Sequence, residues 1–199
     1  MATKRLVISG YGQVELNNVA FRRDGRIEAQ CAPNATDFKS IPVENGMLLA
    51  VDDANRCVKL PVDGSLPIAL VYSAEHMYDE RTPGLKNFKL NGSDDFFPRL
   101  GYLSIGDKWR SNCVCYNTEE FTSEEALITA LKACATTAVY GGADASGAIK
   151  LSATAPTFGP KLKVVAFDTM PDGQKCIKFQ VLADKEGRVW IGTIKALPE

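Results

Sequence analysis

Apolar residues in this chain come in short runs separated by turn-forming pairs. From Ile41 to Tyr116 the sequence contains IPVENGMLLAVDDANRCVKLP, then PIALVYS, then RLGYLSIGDKWRSNCVCYN. Runs of this length, closed by Asn-Gly, Asp-Gly or Gly-Asp, predict the strands of a β-barrel or sandwich. Upstream, LVIS (6–9), QVEL (13–16) and NVAFRR (18–23) also read as strands, and Asp24-Gly25 predicts a hairpin turn into RIEAQC (26–31). The mixture of Pro and turn formers in 31–42 reads as a loop. MLLAV (47–51) and CVKLP (57–61) flank the turn Asp52-Asp53-Ala54-Asn55. The near-continuous apolar run PIALVYS (67–73) predicts a central strand buried on both faces. If a period of two runs through KWRSNCVCYN, then Trp109, Ser111, Cys113 and Cys115 share one face, and Arg110, Asn112, Val114 and Tyr116 the other.

One helix is signalled. Thr122 and Glu125 have capping-box spacing, Glu124 and Glu125 suit the positive end of a helix dipole, and Ala126, Leu127, Ala130, Leu131 and Cys134 follow helical spacing. The expected span is 123–137. Gly141-Gly142 should stop it, leaving 141–147 as a loop; the pair lacks the later Gly and the Lys of a phosphate-binding loop. IKLSA (149–153), LKVVAFD (162–168), CIKFQVL (176–182) and RVWIGTI (188–194) are predicted strands, the last two forming a hairpin. The expected fold class is therefore mainly β, a barrel or sandwich module with one α-helix and a C-terminal β-hairpin. A boundary near 119–122 would divide it into a barrel-like module, 1–120, and a helix-plus-strand module, 121–199, packed together as one domain or standing as two.

Residues 75–98 interrupt the strand pattern with Pro83-Gly84, Asn91-Gly92 and Asp94-Asp95. Excursions of this length often carry contacts. Phe96, Phe97 and Arg99 at its end are the candidate partner-binding residues, because aromatics and Arg are enriched at interface centres. The alternative is that the aromatics pin the loop to the core.

The composition narrows the chemistry. Among 199 residues, 23 Lys and Arg against 24 Asp and Glu leave a net charge of −1, which gives no long-range pull toward nucleic acid or anionic membranes. The short apolar run after Arg5 is too brief for an export signal, and no window approaches membrane-spanning length. A soluble protein is expected, in the cytosol or in an assembly built there. Under that expectation Cys31, Cys57, Cys113, Cys115, Cys134 and Cys176 are free thiols. His76 is the single histidine, so any Ser-His or Cys-His site must use it, and it sits in a polar loop without a nucleophile motif. Cys113-x-Cys115 has the wrong spacing for zinc, and neither Asp52-Asp53 nor Asp94-Asp95 continues into a calcium loop. No catalytic residue, metal or cofactor is expected.

GMLLAVDDANRCVKLPVDGSLPIALVYSAE followed by GYLSIGDKWRSNCVCYN resembles the layout of tailed-phage head decoration, or capsid cement, proteins. The matching positions are Gly46, Pro67, Ala69, Val71, Gly106 and Asp107, over about a third of the chain. The resemblance implies a small β-barrel in a virion, bound to the major capsid protein and reinforcing an icosahedral shell. A homo-oligomer such as a trimer would suit a symmetric lattice, with neither nucleic acid nor membrane as partner. Two alternatives are a cytosolic β-barrel enzyme or small-ligand-binding protein, and another phage part such as a head-fibre base or tail component.

Overall fold

The computed structural model describes residues 3–8, 10–24, 29–73, 89–90 and 97–183. In chain order these form β1 (Thr3–Arg5), β2 (Val14–Asn18), a short helix α1 (Ala20–Arg23), β3 (Ala29–Gln30), β4 (Ala32–Pro33), β5 (Val43–Glu44), β6 (Leu48–Asp52), β7 (Cys57–Lys59), β8 (Ile68–Val71), β9 (Lys89–Leu90), β10 (Arg99–Gly101), β11 (Lys108–Ser111) and β12 (Val114–Asn117). There follow α2 (Glu124–Lys132), β13 (Tyr140–Ala143), β14 (Ile149–Ser152), β15 (Lys161–Thr169) and β16 (Lys175–Ala183). The mainly β expectation holds. An eight-stranded sheet, ordered β1-β12-β14-β13-β15-β16-β11-β2, curls into a half-barrel, and a six-stranded sheet runs β3-β10-β8-β6-β7-β4. The half-barrel takes strands from both sides of residue 120.

Two apolar clusters hold these sheets. The inner face of the half-barrel buries Trp109, Tyr116, Leu151, Ile177 and Phe179, closed by Leu127 and Leu131 of α2. Strand β8 serves both clusters. Ile68 and Leu70 belong to the first, while Ala69 and Val71 join Phe38, Met47, Leu49, Val51 and Val58 in the second. Paired to β6 on one side and β10 on the other, it is the central, doubly buried strand that its sequence predicts. The β6–β7 hairpin also closes as expected, with Asp52 opposite Cys57.

Asp52 ties that turn. Lys59 Nζ donates to its Oδ2 at 2.5 Å, Asn55 Nδ2 donates to the same oxygen at 2.8 Å, and the Asn55 N–H donates to Oδ1 at 3.0 Å. The Lys59 hydrogen bond, then those from Asn55, hold the carboxyl at about 2, below its ordinary 3.8. A depressed carboxyl contributes stability above its unfolded value and loses it as pH falls through the folded one. The stability difference between wild type and Asp52→Asn is thus expected to shrink between about pH 4 and pH 2, followed by urea unfolding. A difference constant over that window would contradict the assignment.

The structure departs from the sequence reading in several places. NVAFRR is not a strand: after Val19 the chain turns into α1, and the Asp107 carboxylate accepts from the Ala20 N–H at 2.9 Å. The cap comes from a residue far along the chain, beyond the reach of a local pattern. Asp24 ends that helix, β3 pairs with β10 and not with the segment before it, and Gly25 lies outside the described residues.

KWRSNCVCYN is two strands with different neighbours: β11 lies between β16 and β2, and β12 between β1 and β14. At the break the Ser111 hydroxyl donates to Gln13 O at 2.9 Å and accepts from the Cys113 N–H at 3.0 Å. Asn112 Oδ1 accepts from the Gln13 N–H at 2.7 Å. These side chains replace ladder bonds and change the alternation. Trp109 therefore shares its cluster with Val114 and Tyr116, while Cys113 and Cys115 face the second core.

Gly141-Gly142 is not a loop but the middle of β13. A Cβ at Gly141 would lie 2.9 Å from Ile149 Cγ2, and one at Gly142 would lie 2.4 Å from Pro156 Cβ, so close packing explains the pair. The long helix is capped one residue later than the pattern suggests: Ser123 Oγ accepts from the Ala126 N–H at 3.1 Å. It ends at Lys132. The hairpin seen is β15–β16, turning at Asp172-Gly173. RVWIGTI, its proposed successor, lies outside the described residues.

Candidate binding surface

The predicted contact residues are only partly in view. Phe96 and His76 lie outside the described residues. Phe97 is 43% exposed, next to buried Pro98. Arg99 opens β10, where its N–H donates to Ser73 Oγ at 2.9 Å and its carbonyl accepts from the Tyr72 N–H at 3.0 Å. The backbone of Arg99 is thus fixed to β8 and, through its register with Gln30, to β3. Phe97 stands two residues from this anchored point.

Three of the cysteines, Cys113, Cys115 and Cys176, are poorly suited to nucleophilic chemistry. All six are free. Burial pushes the Cys113 and Cys115 thiols up to about 12, and Cys176, also by burial, to about 11. Such thiols are protonated at neutral pH, whereas the thiolate is the reactive form. Beside Cys113, the buried Glu44 carboxylate receives both terminal nitrogens of Arg5, with Arg5 Nη1 at 2.9 Å from Oε1, and accepts from the Gly12 N–H at 2.5 Å. Its oxygens are committed to holding β1, β5 and the Gly12 segment together. Among the described residues, no three His, Cys, Asp or Glu side chains gather to hold a metal ion, and no helix is long and apolar enough to cross a membrane.

Open concavities are present among the described residues. One of about 240 Å³ is lined by Gln13, Glu15, Asn45, Met170 and Asp172. Another, of about 280 Å³, lies between Glu120, Tyr140, Lys150, Ser152 and Phe158. Glu120 in the latter accepts from the Ala153 N–H at 2.7 Å and from the Ser152 hydroxyl at 2.9 Å. These bonds explain a carboxylate held below its ordinary range despite partial burial. A carboxylate bound this way braces the 152–154 bend.

The solvent face of the half-barrel is different in character. Alternation along β15 and β16 turns Leu162, Val164, Phe179 and Val181 inward. Lys161, Lys163, Lys178 and Gln180 are left on the other face. Register places Lys108 opposite Gln180, Gln180 opposite Lys163, and Lys163 opposite Tyr140. A polar row therefore crosses four strands.

No protein-family model, curated protein or solved structure matches the chain.

Next to that row, Arg110 bridges Glu15 at 3.4 Å and Asp168 at 2.9 Å, so its charge is met within the sheet. No ion pair within the described residues uses Lys108, Lys161, Lys163 or Lys178. Net charge does not register these residues, because it says nothing of how charges are distributed over a sheet. The usable signal was lysine at alternate positions of strands whose other face is apolar, as in Lys161-Leu162-Lys163.

Proposed function

We propose that this protein acts by binding and not by catalysis, as a structural component of a phage virion that attaches to the major capsid protein and reinforces an icosahedral shell. The observation carrying this reading is Phe97: a large aromatic left 43% exposed beside a backbone fixed to the six-stranded sheet. An aromatic two residues from an anchored backbone position has only a short segment to order when it enters a partner's pocket. The resemblance of the 46–107 segment to decoration proteins supplies the partner class. The raised thiols and braced carboxylates agree with a binding role. A cyclic homo-oligomer, a trimer for instance, would multiply each contact across neighbouring capsid subunits.

The test is occupancy on purified shells. Phe97→Ala is expected to weaken attachment by about 2 kcal/mol, near thirtyfold, with an unchanged melting temperature. If the aromatic only pins its loop, the variant will melt earlier and still saturate the shells once corrected for unfolding. If the wild-type protein does not attach to shells at all, the virion assignment fails.

A further inference from the structure

We infer that the solvent face of the half-barrel, centred on Lys108, Lys161, Lys163 and Lys178, is a docking surface for an acidic protein surface. The inference deepens the proposed function by naming the chemistry of the contact, and it rests on that reading only for the identity of the partner. Lys108, exposed, and Lys161, Lys163 and Lys178, half-buried, lie on three adjacent strands, β11, β15 and β16. None of the described ion pairs uses any of them, although the chain carries 24 acidic residues. The neighbouring guanidinium, Arg110, is bridged by Glu15 and Asp168, so among the described residues the acids beside this face are committed to Arg110. Lysines concentrated on one face of a nearly neutral chain cost self-repulsion, which an acidic partner would relieve.

The same face argues against other occupants. A second copy related by a two-fold axis would bring like charges together, which opposes association. A phosphate backbone is drawn by long-range positive charge, yet the whole chain is at −1, and screening confines the lysines' field to about 8 Å at physiological salt. The same strands and their neighbour β13 also carry the partly buried Tyr140, Val165 and Leu182. Together with the aliphatic stems of the lysines, they offer the mixed apolar and charged composition of a protein interface.

The experiment uses the full chain and poly-L-glutamate as the probe, with oligodeoxythymidylate of equal charge and phosphatidylserine vesicles as competing arms. The wild type is expected to bind poly-L-glutamate in low salt, and the quadruple variant K108Q/K161Q/K163Q/K178Q to bind at least tenfold more weakly. The control K4Q/K39Q/R56Q/K132Q removes the same charge from exposed positions elsewhere and is expected to bind as wild type. Equal loss in both quadruple variants would reduce the effect to net charge and overturn the inference. So would unchanged binding in the first variant, or tighter binding to the oligonucleotide or the vesicles. Lys163→Glu alone, at least threefold weaker with an unchanged melting temperature, guards against a folding defect in the quadruple variant. Because this assay contains no shells, its outcome is separable from the virion assignment.

Discussion

Replacing Trp109 with alanine is expected to destabilise the fold by about 3–5 kcal/mol, the largest effect of any single substitution considered. Trp109 is fully buried on the inner face of the half-barrel, opposite Phe179 in register, with ring centroids 5.5 Å apart. Truncation removes its transfer free energy and leaves a void between two paired strands that cannot close without breaking their ladder. The indole also has a peculiarity: among the described residues its Nε1–H has no hydrogen-bond partner. A buried, unpaired donor costs about 1–3 kcal/mol. Trp109→Phe, which deletes the donor and keeps most of the ring, should therefore lose far less than the alanine variant. Urea unfolding of both variants checks this. Equal losses would mean that the indole nitrogen is satisfied.

Glu44→Ala is expected to cost about 3 kcal/mol. Glu44 is 3% exposed, and its carboxylate is the shared acceptor for Arg5 and the Gly12 N–H. Removing it strands a guanidinium and an amide together. The figure is set at the low end for a broken buried pair because the Arg5 side chain is 37% exposed and can recruit water. Glu44→Gln preserves the shape and one acceptor oxygen, so it should fall between wild type and alanine. If the two variants melt together, the carboxylate charge contributes nothing and the pair is held by packing.

The parts of the fold legible in the sequence were those decided within a few residues. The β6–β7 hairpin, the β8 core strand and the apolar stripe of α2 each declare themselves through spacing, and each is present. The failures share one cause. α1 depends on Asp107, the break in KWRSNCVCYN depends on Gln13, and the diglycine of β13 depends on Ile149 and Pro156. In each case a distant part of the chain overrides the local preference. The candidate surface divides in the same way. Phe97 could be singled out from a single tetrapeptide. The lysine face could not, since its members lie on three strands and only strand pairing brings them onto one face of the sheet.

The order of strands in the half-barrel also constrains how the chain is assembled. Among the described strands β1 pairs only with β12, and β2 only with β11, so both wait for residues near 108–117. During synthesis the segment 29–101, which supplies the whole six-stranded sheet, leaves the ribosome before either partner exists. β2 meanwhile carries Val14 and Leu16, both packed on the core in the native state, with nothing to cover them. The local hairpins β13–β14 and β15–β16 can close quickly once made, but joining the early strands to them requires long loops to close, a slow step in β topologies. Until residues 108–117 are made, Val14 and Leu16 of β2 therefore lack their native strand partner, and exposed apolar strands of this kind favour association between neighbouring nascent copies.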